Sequence, residues 1–163
     1  MRRLGMVCVP LLLAGCHIEQ QGREFHVSPP PAFIHQTWGI SQQETSPGGT
    51  RVCTVSAGEI DVTQRGARRG STARVSMDRG LAPGESYKIL FGDTIYETLT
   101  GRFSAADSAA IIERLKRAKM VYTELTVNFI GFAGGQWRHV QNEIPLAGFP
   151  ARYRACERFM TKK

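Results

Sequence analysis

Four cysteines, at positions 8, 16, 53 and 156, are the most chemically versatile side chains of this 163-residue chain. A thiol can pair in a disulfide, bind a metal or act as a nucleophile, and its surroundings decide among these roles. Cys8 and Cys16 lie in or directly after an apolar N-terminal run, whereas Cys53 and Cys156 stand about a hundred residues apart. None of the four has His or Cys partners at metal-ligand spacing.

The first fifteen residues have the organisation of a secretory signal peptide. Arg2 and Arg3 precede an apolar run from Leu4 to Ala14, which is interrupted only by Gly5 and Pro10. This run is roughly half of the ~20 apolar residues that a spanning helix needs, and no longer run follows it. The sequence therefore predicts export through the inner membrane and no transmembrane segment.

Leu13-Ala14-Gly15-Cys16 closes this run and resembles the bacterial lipobox in residue types, order and position. The resemblance implies that Cys16 receives diacylglycerol, that the chain is cut just before it, and that the acyl chains hold the protein on a bilayer. His17, rather than Asp, follows the cysteine, which implies an outer-membrane lipoprotein facing the periplasm. The alternative is that Cys16 is an ordinary thiol near a conventional cleavage site.

Removal of residues 1–15 as a signal peptide leaves 148 of the 163 residues, and the formal charge falls from +7 to +5 because two arginines leave. Two thiols then remain, those of Cys53 and Cys156. In an oxidising compartment such a pair forms a disulfide, which would stabilise the fold by up to about 4.7 kcal/mol on the chain-entropy model. The alternative, a reduced pair that binds a metal or acts as a nucleophile, lacks neighbouring partners.

The composition indicates one ordinary globular domain, since 42% of the residues are hydrophobic and 21% are charged. Seventeen Gly and eight Pro without a period favour many turns, and thus a β-rich or α+β fold. Residues 16–32 are polar and end near a triple proline, so we predict an extended lipidated tether there. The domain then occupies 33–163.

Alternation of apolar and polar residues predicts several strands, and helical spacing predicts two helices. The strand candidates cover residues 50–55, 73–77, 87–91, 94–99, 121–132 and 136–144, the last two as a hairpin around 133–135. An amphipathic helix is predicted over about 104–119, and a short C-terminal helix after Pro150 carries Cys156. The predicted fold is a two-layer antiparallel sheet sandwich with one main helix and this short one.

The remaining residues indicate no catalytic motif and no cofactor. Phosphate-binding glycine loops, a nucleophile elbow and a zinc-protease helix motif are all absent from the sequence. His139 lies on a predicted strand as a surface or edge residue, and Glu59 with Asp61 is interpreted as solvated charge. We therefore predict a protein that is not an enzyme.

An arginine cluster is the one notable charge feature. Arg65, Arg68 and Arg69 flank Gly66 and Gly70 between two strand candidates, with Arg74 just beyond. Guanidinium groups bind phosphates and carboxylates through paired hydrogen bonds. The cluster suits phospholipid head groups, lipopolysaccharide phosphates or cell-wall carboxylates. The alternative is a solvated hairpin loop. Export makes nucleic acid a poor partner despite the basic pI of 9.6.

The second half of the chain resembles the invasion-associated locus B family. The resemblance rests on the segment 81–89 (LAPGESYKI), the ending 144–149 (IPLAGF) and the early Trp38 with Cys53, and it spans about 36–158. It implies a small, β-rich, secreted or envelope-associated bacterial protein and brings no catalytic residues. The chain has Thr98-Leu99-Thr100-Gly101 where the family often carries a cysteine pair.

Three functions compete on this basis. The first is a non-enzymatic envelope lipoprotein that binds another envelope protein or an anionic envelope surface. The second is a periplasmic inhibitor or chaperone-like module, in which the loop 65–70 engages an enzyme with catalytic carboxylates, such as a lysozyme. The third is an envelope hydrolase that depends on His139.

Overall fold

The computed structural model describes residues 37–45, 49–67, 70–131 and 134–162. The signal peptide, the lipobox and the proline-rich tether predicted from the sequence lie outside the described residues. So do residues 46–48 and residues 132–133, the latter overlapping the predicted hairpin loop at 133–135. Neither helix of the described ranges is both long and apolar enough to cross a membrane.

Sheet A contains four antiparallel strands in sequential order. They are β1 (Gly39–Glu44), β2 (Arg51–Ala57), β3 (Ile60–Ala67) and β4 (Gly70–Met77). Burial alternates along β2, where Cys53, Val55 and Ala57 point into the core and the residues between them face outwards. Sheet A therefore has an apolar inner face and a polar outer face, as expected for a half-buried antiparallel sheet.

Sheet B contains the other four strands in the order β6-β5-β7-β8. They are β5 (Ser86–Phe91), β6 (Thr94–Thr98), β7 (Met120–Gly131) and β8 (Gly134–Pro145). The predicted hairpin is confirmed, because β7 and β8 pair over their full length. A turn at Pro83-Gly84 leads into β5, and Gly84 has the positive φ of 85° that the third position of a type II turn requires.

Two helices cover the sheets at the predicted places. They are α1 (Ala105–Arg117) and α2 (Phe149–Thr161). The Ser104 hydroxyl caps α1 by accepting from the Asp107 amide at 3.1 Å. The carboxylate of Asp107 accepts from the Ser104 hydroxyl instead of reaching back to its amide, because Asp is shorter than the usual Glu. The C-terminal helix, predicted as short, has the same length as α1.

The inner faces of both sheets and the buried faces of both helices form one hydrophobic core. A disulfide between Cys53 of β2 and Cys156 of α2, with Cα atoms 5.6 Å apart, crosses this core and confirms the predicted bridge. Beside it, the buried Arg51 guanidinium donates to the carbonyl oxygens of Phe159 and Lys162 at the end of α2. The end of α2 is thus attached to β2 by two different kinds of bond.

The observed fold confirms the predicted class, a β-rich α+β sandwich. Two strands were not predicted. The strand β1 is polar and almost wholly exposed at the edge of sheet A, so it lacks the alternation by which a strand is recognised. The strand β3 begins with the alternating, buried Ile60 and Val62, but its second half carries the buried polar Gln64 and the exposed Arg65.

Candidate anion-binding site

Arg65 lies on a strand rather than in a loop, which corrects the prediction, whereas Arg74 lies on a strand as predicted. Arg65 belongs to β3 and Arg74 to β4, while Arg68 and Arg69 lie outside the described residues. The strands continue to Ala67 and resume at Gly70, so only a very short connection separates them. Arg65 and Arg74 are consequently fixed in position by the ladder of sheet A.

The register of β3 and β4 brings these two side chains together on the outer face of sheet A. Arg65 is opposite Thr72, and Arg74 is opposite Thr63. The two arginines are therefore diagonal neighbours, a relation in which Cα atoms lie roughly 7–8 Å apart, within reach of long side chains. Both are exposed, with hydroxyl side chains around them.

A third arginine, Arg102, joins them from the segment between β6 and α1. The amide of Met77 donates to Gly101 at 2.7 Å, and the amide of Phe103 donates to the carbonyl oxygen of Val75 at 3.1 Å. These bonds add a short extra strand to β4, in which Arg102 faces Ser76 as a non-hydrogen-bonded pair. Side chains approach closely in such pairs, so Arg102 lies beside Arg74 on the same face.

Sequence reasoning missed Arg102, because its place in the site depends on pairing with a strand about 26 residues earlier in the chain. One local signal was present in the preceding residue. Gly101 has a φ of 77°, and a Cβ there would lie 2.9 Å from the carbonyl oxygen of Arg79. A glycine is thus needed where this segment turns onto the edge of β4.

These residues line a cavity of about 510 Å³ on the outer face of sheet A, which we call the arginine cavity. It is lined by three arginines, three residues with hydroxyl groups and two apolar residues. The lining residues are Thr63, Arg65, Thr72, Arg74, Val75, Ser76, Arg102 and Phe103.

The electrostatic state of the cavity favours an anion. Across the part of the chain that the structure describes, no carboxylate lies within ion-pair distance of Arg65, Arg74 or Arg102. Three like charges therefore share one concave surface with no counterion among the described residues, and an anion that entered would reduce their repulsion. The paired N–H donors of guanidinium groups, with hydroxyl donors between them, can hydrogen-bond to several oxygens of one phosphate or carboxylate.

A second cavity, of about 440 Å³, adjoins the first and carries charges of both signs. It shares Ser76 and Arg102 with the arginine cavity and adds Asp61, Asp78 and Arg79. Burial, and secondarily the charge of Asp78, raises the pKa of the Asp61 carboxyl. The two adjoining cavities thus differ: the arginine cavity is lined by arginines without a carboxylate, and the second is lined by two aspartates and two arginines.

Asp61→Asn is expected to stabilise the fold at neutral pH. Because the folded-state pKa is raised, the ionised Asp61 carboxylate lowers the free energy of unfolding at pH values above that pKa. Below the unfolded-state pKa the carboxyl is protonated in both states, and the loss disappears. Solvent screening keeps the gain small, about 0.5 kcal/mol at pH 7. Urea denaturation at pH 7 and pH 3 measures it, with Asp93→Asn, in the exposed β5–β6 turn, as the control. A gain that is equal at both pH values would contradict this origin.

Glu59 is not the solvated charge that the sequence suggested. Its carboxylate accepts from the amide of Asn142 at 2.7 Å and from the hydroxyl of Thr123 at 3.2 Å, and thereby connects the β2–β3 turn to sheet B. Because both oxygens are held by structural partners, we assign Glu59 a structural role.

His139 lies where the sequence placed it, exposed on β8 at the edge of sheet B. It shares a hydrogen bond of 3.1 Å with the hydroxyl of Thr126, and Glu124 lies 3.9 Å away. Within the described ranges, no group of three or more metal-ligating side chains is assembled.

Comparisons of the chain with protein-family models, with curated proteins and with solved structures give no match. The resemblance to the invasion-associated locus B family therefore stays a prediction. What the domain binds has to be inferred from the chemistry of its own surfaces.

Proposed function

We propose that this protein is a lipid-anchored, non-enzymatic component of the bacterial envelope, whose domain holds an anionic group of an envelope partner in the arginine cavity. The observation that carries the binding role is the convergence of Arg65, Arg74 and Arg102, from three segments, on one cavity without a described counterion. The location rests on the lipobox of residues 13–16 and on the signal peptide before it.

The placement of Arg65 and Arg74 favours this function over an enzyme inhibitor. An inhibitor of the kind predicted from the sequence would present its arginines on a projecting loop that enters an active-site cleft. Arg65 and Arg74 instead lie on paired strands and line a concave surface. A concave basic surface accepts a group from its partner, such as a phosphate or carboxylate on a lipid head group, polymer or protein.

A triple substitution tests the arginine cavity. In Arg65→Gln/Arg74→Gln/Arg102→Gln, each guanidinium is replaced by a neutral amide of similar polarity. Loss of three charge-assisted hydrogen bonds is expected to weaken the binding of pyrophosphate at least tenfold. Calorimetric titration of the full chain in neutral detergent, at fixed ionic strength, measures this, and a parallel titration with citrate separates phosphate from carboxylate preference.

The matched control removes the same charge elsewhere. Arg152, Arg154 and Arg158 are all exposed on α2, so Arg152→Gln/Arg154→Gln/Arg158→Gln changes the net charge equally and leaves the cavity intact. We expect this control to bind pyrophosphate like the wild type. If both triple variants lose affinity to the same extent, the wild type attracts anions through its net charge alone, and the proposed site is refuted.

A further inference from the structure

The outer face of sheet B carries an exposed tryptophan that lies along the sheet. Trp137 is on β8, and its side chain is 52% exposed. A Cβ built on Gly84, just before β5, would lie 2.9 Å from the Cη2 atom of this indole. Because β7 separates β5 from β8, the indole extends across β7 and packs on the glycine backbone. The ring is thus held against the protein and partly open to solvent.

A second exposed aromatic side chain, that of Tyr122, lies on the same face. Tyr122 and Asn128 are both outward residues of β7, and Asn128 pairs with Trp137 in the β7–β8 register. Tyr122 is 44% exposed. Asn128 lies six positions after Tyr122 on β7, so the two aromatic positions stand about 20 Å apart along the strand direction.

Polar side chains fill the distance between the two aromatic rings. Next to Trp137, the hydroxyl of Thr126 is hydrogen-bonded to His139 at 3.1 Å. One row further, the carboxylate of Glu124 accepts from Lys88 at 2.9 Å and from Gln141 at 3.0 Å. These bonds, chiefly that to Lys88, hold the pKa of the Glu124 carboxyl below its usual range. The row is therefore ordered before any ligand arrives, and a carboxylate has lone pairs left for further donors.

We propose that this face binds a linear, uncharged polysaccharide, and we name it the glycan platform, defined by Tyr122, Glu124, Thr126, Trp137 and His139. A sugar ring has an apolar C–H face that stacks on an aromatic ring and hydroxyl groups at its edge that hydrogen-bond to carboxylates, amides and hydroxyls. The platform offers both chemistries on adjacent strands. Its length of about 20 Å fits several sugar rings of an extended chain.

The charges of the platform indicate that the glycan is neutral rather than acidic. Glu97, Lys88, Glu124 and Gln141 form one cross-strand row, so two carboxylates accompany a single lysine. An anionic polymer would be repelled there, whereas the arginine cavity lies on sheet A. The glycan platform is therefore independent of the proposed anion site, and either can fail without the other.

Tryptophan substitution tests the proposal with soluble hexasaccharides. The full chain in neutral detergent is titrated calorimetrically with chitohexaose and, separately, with cellohexaose, which distinguishes N-acetylated from plain hexose chains. Trp137→Ala is expected to weaken binding at least tenfold, since central aromatic contacts commonly carry that much. Trp137→Phe keeps an aromatic ring and should retain part of the affinity. The control is Leu99→Ala, which shortens a more exposed side chain, 68% exposed, beyond the end of β6.

The fluorescence of the protein gives a second readout. Of the two tryptophans, Trp38 is 3% exposed and Trp137 is 52% exposed, so a stacked sugar should change the emission of Trp137 only. Trp137→Phe should then abolish the sugar-dependent change. No binding of either hexasaccharide at millimolar concentration, or equal binding by the wild type and Trp137→Ala, overturns the proposal. So does self-association of the wild type that Trp137→Ala removes in sedimentation, because the face would then be a contact between copies.

Discussion

Replacing Cys53 and Cys156 together by alanine is expected to lower the free energy of unfolding by about 2–5 kcal/mol. The bridge closes a loop of 103 residues, so its loss gives the unfolded chain much more conformational freedom. It also removes the covalent attachment of α2 to sheet A. The helix is then held by the hydrogen bonds of the Arg51 guanidinium at its end and by the packing of Phe149 and Tyr153. Urea denaturation followed by circular dichroism, without reductant, measures the change.

Thiol accessibility provides the control for this prediction. Both cysteines are fully buried, so a reductant should act slowly on the native protein and quickly once urea has unfolded it. The single variant Cys53→Ala lacks the same bridge and should be destabilised to a similar degree as the double variant. Two thiols that alkylate in the native, unreduced protein, or a double variant as stable as the wild type, would contradict the prediction.

Cys16→Ser is expected to abolish lipid attachment and to move the protein from the membrane fraction to the soluble fraction or to block its processing. A serine hydroxyl does not replace the thiol in acylation, and each lost acyl chain removes on the order of 10 kcal/mol of membrane affinity at ~0.8 kcal/mol per CH2. Metabolic labelling with palmitate and fractionation of the envelope measure the two effects. The loss of palmitate labelling and of membrane retention is therefore expected to be nearly complete.

Cys8→Ser is the matched control for the anchor. It makes the same chemical change eight residues earlier in the apolar run and leaves Leu13-Ala14-Gly15-Cys16 unaltered. We expect it to be labelled and retained like the wild type. Labelled, membrane-bound Cys16→Ser protein would refute the anchor and, with it, the proposed location, while the two binding surfaces would remain to be tested on their own.

The parts of the fold that were predicted correctly depend on local periodicity or on counting. The apolar spacing of α1 and the alternation of β7 and β8 are read within a dozen residues. The bridge was predicted from the number of thiols that remain if residues 1–15 are removed as a signal peptide and Cys16 is acylated. The strand β1 was missed because its partner β2, rather than its own polar sequence, makes it a strand. Edge strands of this kind carry little information in their side chains.

The candidate sites were less predictable, because each depends on contacts between distant segments. Arg65 and Arg74 were found as a charge cluster, but their position on strands and the participation of Arg102 required the register of β4 with two neighbours. Trp137 attracted no functional interpretation, since its contact with Gly84 crosses an intervening strand. A sequence indicates residue types, whereas a shared surface depends on the pairing order of the strands.

The disulfide also determines how the domain responds to a mechanical pull on its N-terminus. Trp38, buried in the core, directly precedes β1, and Cys53 stands opposite Gln42 in the β1–β2 ladder. A force that separates β1 from β2 is then transmitted to Cys53, where the disulfide shares it between the rest of β2 and α2. The arginine cavity and the glycan platform both lie between residues 53 and 156, inside the covalent loop. A protein held by lipid at one end and by the wall at the other would thus yield first in the segment before Cys53, with its binding surfaces still folded.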